Sequence, residues 1–283
     1  MSPGMLAAMR AAEGDAVVQH GACHWRSAYP GFFQPVHLLE RVRASAMRQP
    51  ARLCWGFRAA LPEAEAHRAN ASIPLHILAD VRGFDETALC RNRRSDLRRS
   101  RRLVEFRQLE SPALLFEQGH DVYMSAVRRL GHWPPLGQAA YRERLARRIV
   151  HGPRLLIAGL VEGRLRGYLD SYAIDDVLYT DQIFVATDAL RTGIGTGLYV
   201  ETLLAAARDG AIRDVCNSLH RPENPNLGHF KAGLGFRVVQ VPARASIRAP
   251  MRQYLRTQRP ATWYRLTGDR TVLGAFPPDS EAA

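Results

Sequence analysis

Lysine is nearly absent from this 283-residue chain: of its 39 basic residues only Lys231 is a lysine, and the rest are arginines. Against 27 acidic residues they leave a formal charge of +12, which admits polyanionic partners such as nucleic acid, phosphorylated cofactors or acidic lipid. The exchange of lysine for arginine equally fits a compositional bias, so bulk charge by itself assigns no partner. Long apolar runs are missing too. The longest, Leu155 to Val161 with a glycine inside it, is far short of the roughly 20 residues that cross a bilayer. Met1 to Val18 carries Arg10, Glu13 and Asp15 without an apolar stretch leading to a small-residue cleavage site, so no secretory signal is read and the cytoplasm is the expected compartment. Cysteine is scarce and scattered. Cys23, Cys54, Cys90 and Cys216 form no CxxC or Cys/His ladder, which argues against a disulfide scaffold or a structural metal site and leaves reduced, partly buried thiols. No fixed-period repeat or long low-complexity tract is visible. What is present, 46% hydrophobic and 23% charged residues, is the composition of a packed globular chain of one large or two modest domains.

The pattern is clearest from Leu103 onward, where the apolar period switches between the values that separate strands from helices. Val104 to Leu109 reads as a strand. Ser111-Pro112 then starts a helix to Leu130, ended by Gly131-His132-Trp133-Pro134-Pro135, and a second helix spans Gln138 to Val150. Arg154 to Val161, Arg164 to Ile174 and Val177 to Thr187 read as three successive antiparallel strands, with turns at Glu162-Gly163 and Asp175-Asp176. A glycine-rich turn, Arg191 to Gly197, opens a helix from Thr196 to Arg208. Ile212 to Leu219 is the next strand, Asn226 to Gly233 a short helix, Phe236 to Val241 a strand, and Trp263 to Leu266 a last one. Earlier residues offer helices near 35–48 and 85–102 and strand-like Leu53 to Arg58 and Ile73 to Leu78.

A strand followed by glycines that open a helix suits a phosphate group, because glycine lets the backbone approach and the first N–H groups of a helix have no internal acceptor. Gly193, Gly195 and Gly197 meet that description. A Walker A loop would need Gly-Lys-Ser/Thr, whereas Leu198-Tyr199 follow Gly197. A dinucleotide fingerprint would need a parallel βαβ unit with an acid ending the next strand; Asp214 begins its strand, and hairpin-connected strands precede the turn.

The element order and these residues together resemble the GNAT superfamily of N-acetyltransferases over Leu103 to Leu266. Phe184-Val185-Ala186-Thr187-Asp188-Ala189-Leu190-Arg191-Thr192-Gly193-Ile194-Gly195 follows its first motif in register; Asn224, the short helix and Gly235-Phe236 follow its second. Leu190 stands where the family has Gln or Arg, with Arg191 one place on, and Lys231 stands where many members carry a thiolate-protonating tyrosine. A second likeness is to the Fem-type peptidoglycan bridge aminoacyltransferases, carried by Phe230-Lys231 before Gly235-Phe236 and by the arginine-rich run Arg91 to Arg102. The resemblance implies an α/β (α+β) chain with a GNAT-like mixed, mostly antiparallel sheet and flanking helices at 103–270. Residues 1–102 are expected to form a smaller α/β subdomain, a shortened or degenerate copy if the Fem likeness holds, and 271–283 a frayed tail.

The same resemblance implies site residues. Ile183, Phe184 and Val185 would offer backbone groups to the thioester of acetyl-CoA, while Arg191, Thr192, Gly193, Ile194, Gly195, Thr196, Gly197 and Asn224 would hold the cofactor. Asp181 takes the place of a carboxylate that removes the amine proton through water; the alternative is a strand-end carboxylate satisfied by local amides or an arginine. Alternation puts it on one strand face with Tyr179, an acceptor-lining candidate or a half-buried packing residue, and Ile183. Lys231 would bind a phosphate or acidic acceptor, donate a proton, or be a solvated helix lysine. His220 would orient or deprotonate substrate, or be structural. Arg91, Arg94, Arg98 and Arg101 or Arg102 share one helical stripe suited to phosphate contacts, although no aromatics are interleaved to stack bases and nucleic acid is not the favoured partner. The leading expectation is an acyltransferase moving acetyl from acetyl-CoA to a small-molecule or peptide amine by direct attack, without a metal. The alternatives are a Fem-like transfer from aminoacyl-tRNA to a cell-wall precursor, and a non-catalytic binding module.

Overall fold

The computed structural model describes residues 1–131 and 134–276. Along the chain run α1 (Pro3–Ala12), β1 (Val17–His20), β2 (Cys23–Tyr29), β3 (Phe32–Pro35), β4 (Gly56–Ala60), β5 (Ala71–Leu78), α2 (Arg91–Leu103), β6 (Glu105–Gln108), α3 (Ala113–Leu130) and α4 (Gln138–Ile149). Then come β7 (Leu155–Val161), β8 (Arg164–Ile174), β9 (Val177–Val185), α5 (Ile194–Asp209), β10 (Asp214–Leu219), α6 (Pro225–Ala232), β11 (Arg237–Ile247), α7 (Ala249–Gln258) and α8 (Pro260–Thr267). The class is α/β with mixed, mostly antiparallel strand pairing and flanking helices. Two compact units divide it. The first is built from Ile77–Ser218 with Ala232–Phe236, the second from Ser2–His76, Leu219–Lys231 and Arg237 onward. The boundary expected between 102 and 103 therefore differs from the observed division, because β11, α7 and α8 pack with the N-terminal strands.

In the first unit the strand order is β6-β7-β8-β9-β10, antiparallel except for the parallel β9/β10 pair. The β7/β8 hairpin follows from Glu162-Gly163, both at positive φ (51° and 73°) as a two-residue turn of this hand requires. One sheet face carries Ala158, Leu160, Tyr168 and Phe184 into a core with Leu115, Val122, Tyr123 and Leu145 of α3 and α4. Alternate positions on the other face receive α5: an added Cβ at Gly159 or Gly167 would lie 2.8 or 3.0 Å from the Ile194 side chain.

In the second unit the order is β1-β2-β3-β4-β11-β5. Its cores gather Trp25, Phe33, Cys54 and Leu61 on one side, and Phe32, Ile247, Leu255, Trp263 and Leu266 on the other.

Several expectations are corrected. No helix forms near 35–48; its backbone bonds run sideways, with Val42 N–H on the Ala60 carbonyl at 2.9 Å and Ala44 N–H on Glu65 at 2.8 Å. The helix expected over 85–102 starts at Arg91, after a short 3-10 turn. Trp263 to Leu266 lies in α8 rather than in a strand, since Pro260 opens the helix and Gly268 (φ 68°) closes it. Arg270–Ala275, expected to be part of a frayed tail, forms a 3-10 turn, and the tail beyond 276, like His132 and Trp133, lies outside the described residues. Three of the four free cysteines are buried and Cys90 is exposed. Among the described residues no helix is long and apolar enough to cross a membrane.

Candidate functional site

The glycine turn of the first unit is an anion cradle in its donor set. Gly193 sits in the left-handed region (φ 81°, ψ 10°) and caps α5, and an added Cβ would stand 2.6 Å from the Asp96 carbonyl of α2. Gly197 packs under Phe106, whose ring a Cβ would meet at 2.1 Å. Gly195 has no neighbour within 4 Å of its would-be Cβ. The three glycines thus have three different reasons, and only the middle one faces open space. Thr192 Oγ1 takes the N–H of Ile194 at 3.3 Å, while Gly195 and Thr196 lie in the first turn of α5, where N–H groups have no acceptor within the helix itself. Arg93, reaching across from α2, donates to Thr196 Oγ1 at 3.3 Å and pairs with Asp96 at 2.9 Å. Arg191 is exposed at the same turn, whereas Ile194 is wholly buried and serves packing.

Along α2, Arg99 pairs with Asp96, and Arg101 pairs with Glu86 and Glu201. Arg91, Arg98 and Arg102 are exposed and have no acidic partner among the described residues. At 100° per residue these three fall within about 40° of one another, a single stripe rising about 16 Å along the helix.

The parallel β9/β10 ladder ends at the Tyr179–Cys216 pair, and β9 continues to Val185 against β8 alone. Beyond the fork the β9 backbone is partly engaged by side chains: Arg129 donates to the Val185 carbonyl at 3.0 Å, and Ser125 Oγ accepts the N–H of Thr187 at 2.9 Å. The register with β8 steps from Ser171–Thr180 to Asp170–Gln182, so Asp181 is the extra residue of a β-bulge. The alternation expected through Tyr179, Asp181 and Ile183 is broken there. Tyr179 is buried and stacked on Tyr172, ring centroids 5.4 Å apart.

Asp181 belongs to a buried quartet. Arg148 and Arg154 both donate to it and to Asp170; Arg154 stands 3.1 Å from Asp181 and 2.6 Å from Asp170, and Arg148 3.1 Å from Asp170. The Gln182 side-chain amide faces Arg148 and Arg144, and its oxygen, turned toward them, would accept from both. A carboxylate whose lone pairs are filled by two guanidiniums is poorly placed to take a proton from an amine. The arginine-satisfied reading is the one this geometry favours.

The second unit holds the other candidates. Asn224 Oδ1 caps α6 through the Leu227 N–H at 3.2 Å. On α6, Lys231 is only 2% exposed, so the solvated reading is overturned. It shares its surroundings with His76 and His220, whose rings meet edge to face at 5.3 Å. Burial first, then the Lys231 ammonium and His220, push the His76 pKa down to about 3, so this imidazole is neutral. Gln240 Nε2 donates to the Tyr264 hydroxyl at 3.2 Å, leaving the Tyr264 O–H to point to His220 Nδ1 at 2.9 Å. Sequence reasoning missed Arg93, His76, Arg148, Arg154 and Tyr264. Only Tyr264 carried a local signal, the Pro260 and Gly268 bracket around its helix.

No family model matches the chain, and no curated protein matches it. Among solved structures it is similar to the C-terminal domain of a putative lysylphosphatidylglycerol synthetase from Agrobacterium fabrum, at 11% identity over 93% of each chain and a TM-score of 0.59. FemX matches at 8% identity over 89% of this chain and 93% of its own, TM-score 0.61. The L-PGS structure from Bacillus licheniformis matches at 10% identity over 94% and 93%, TM-score 0.58. Each likeness runs through both units. The chain therefore has the GNAT-like fold in the form shared by FemX and the lysylphosphatidylglycerol synthetase domains.

Proposed function

We propose that the chain is an acyltransferase whose donor is an aminoacyl-tRNA and whose acceptor is an amine or hydroxyl. The observation that carries this reading is the uncompensated stripe Arg91, Arg98 and Arg102 on the helix that also supplies Arg93 to the glycine turn. Coenzyme A ends its charge at a diphosphate and one further phosphate, for which the cradle suffices. A stripe rising about 16 Å suits several phosphates of a polymer. The similarity to a domain of a putative lysylphosphatidylglycerol synthetase and the Fem likeness point the same way. The reaction breaks the ester between the aminoacyl carbon and the terminal ribose oxygen and forms the new bond to the acceptor. A charge develops on the carbonyl oxygen and a proton must reach the departing oxygen. Of the roles considered for them, this reading uses proton donation for Lys231, here to the departing ribose oxygen, and orientation of the acceptor for His220.

Acetyl-CoA as donor is a second reading, favoured by the match between a diphosphate and the first-turn N–H groups of Gly195 and Thr196 beside Arg93. Both donors are found in the cytoplasm, the proposed compartment. Titrating tRNA between 50 and 200 mM salt separates the two. Wild-type affinity should fall steeply, and the Arg98→Glu/Arg102→Glu variant should lower the log–log salt slope by about 1.4–1.8, at 0.7–0.9 per phosphate contact. Flat tRNA binding together with a melting-temperature rise in millimolar acetyl-CoA would move the assignment to the second donor.

A further inference from the structure

The second unit contains a cleft that neither donor reading uses. The cleft, of about 570 Å³ and open to solvent, is bounded by Ser72 of β5, Ile247 at the end of β11, Arg252 and Arg256 of α7, and Trp263 and Asp269 around α8. Arg252 and Arg256 stand one helical turn apart on one face, where like charges repel. Arg252 makes one bond, to the Ile247 carbonyl at 3.3 Å, and its remaining donors are exposed. Arg256 lies over the Trp263 ring, 5.9 Å from its centroid.

The one acid of the cleft is already committed. Asp269 accepts from the Trp263 indole at 2.8 Å and from Thr271 N–H and O–H at 3.0 and 2.6 Å, and Arg256 stays 3.9 Å away, beyond hydrogen-bond reach. Burial pushes the Asp269 carboxyl up, but those bonds, with the Arg256 charge, hold it below the usual carboxylate range. Two guanidiniums therefore face a concave, solvent-filled space with one spent carboxylate. A tetrahedral anion bridging them would relieve their repulsion and accept up to four N–H bonds in the fork geometry that arginine offers. The buried indole face beside Arg256 gives the remainder of the ligand an apolar wall.

We infer that this cleft binds a phosphate ester, with Arg252 and Arg256 as the phosphate ligands. The chemistry is the same for a soluble phosphate ester and for a phospholipid headgroup, and the inference stands independently of which acyl donor is used.

Calorimetric titration of the full chain tests it with inorganic pyrophosphate and with glycerol 1-phosphate, and co-sedimentation with phosphatidylglycerol vesicles tests the headgroup source. Pyrophosphate should fill two sites in the wild type. Arg252→Gln and Arg256→Gln, both at exposed positions, should each weaken one of them at least tenfold, and Gly195→Trp should remove the other, so failure of the cradle and failure of the cleft read out separately. Vesicle binding that falls in the Arg252 and Arg256 variants assigns the headgroup; phosphate binding without vesicle binding assigns a soluble ester. A single pyrophosphate site that vanishes in Gly195→Trp and is unchanged in both arginine variants overturns the inference. So does vesicle binding that is unchanged in both arginine variants.

Discussion

Replacing Gly193, Gly195 and Gly197 one at a time by alanine should give three different results, although the three lie within five residues of one another. At Gly193 the new side chain must occupy the left-handed region, costing about 1–2 kcal/mol, and its Cβ would stand 2.6 Å from the Asp96 carbonyl, a backbone atom that yields only if α2 moves. With about 1–3 kcal/mol for the forced displacement, the loss should be about 2–5 kcal/mol. Alanine at 197 would meet the Phe106 ring at 2.1 Å. The ring must rotate away, at about 1–3 kcal/mol, offset by up to about 1 kcal/mol of improved helix propensity. At 195 nothing lies within 4 Å, so stability should be unchanged or rise by up to about 1 kcal/mol. Anion affinity should nevertheless fall, because the methyl enters the space above the first-turn N–H groups. Urea unfolding measured in parallel with pyrophosphate titration gives both quantities for each variant. A Gly195→Ala protein that is the least stable of the three, or a Gly193→Ala protein as stable as wild type, would refute the account of the turn.

The neutral buried imidazole predicts a pH dependence. The His76 pKa is lowered in the folded state from 6.5 to about 3, so above pH 6.5 it adds nothing. Below that, the unfolded chain takes up a proton that the folded one does not, and stability falls by about 1.4 kcal/mol per pH unit until the folded group titrates. His76→Gln should flatten that part of the stability profile, and an unchanged slope would show that His76 is protonated in the folded chain. Lys231→Met should raise the His76 pKa, read by NMR titration, since the ammonium is one of the groups holding it down. Asp170→Asn leaves two guanidiniums, 2–3% exposed, sharing one carboxylate, and should destabilise the chain by about 3–5 kcal/mol. A loss below about 1 kcal/mol would mean that water reaches the quartet.

The strands β7 to β9 and the helix after the glycine turn were legible because their signals are local: period-two alternation, a hairpin dipeptide, glycines at a helix start. The Trp263 segment was misread because four apolar-rich residues carry no decisive period. Of the N-terminal strands, β4 and β5 were read in part, over Leu53 to Arg58 and Ile73 to Leu78, whereas β1 to β3 were missed for a related reason. β2 places His24 and Arg26 at half-buried positions, and the neighbouring Arg58 of β4 is wholly buried, held by Gln34 and the Arg265 carbonyl, with its pKa lowered by burial to about 9. No composition rule announces a buried arginine. The candidate site divided in the same way. The glycine turn and Lys231 could be found by position, whereas the bulge at Asp181 exists only in the register with β8, and the reach of Arg93 to Thr196 only in the packing of α2 on α5.

The burial of Lys231 has a consequence for the protein as a reagent. Every lysine-borne amine in the chain is this one, and it is shielded from solvent, while the terminal amine of Met1 donates to the Ala173 carbonyl. Under the acyltransferase reading proposed above, activated acyl groups would meet no surface lysine to modify, and guanidinium groups, protonated at any physiological pH, do not compete. The chain's charge is carried in a form that binds anions without being consumed by acylation.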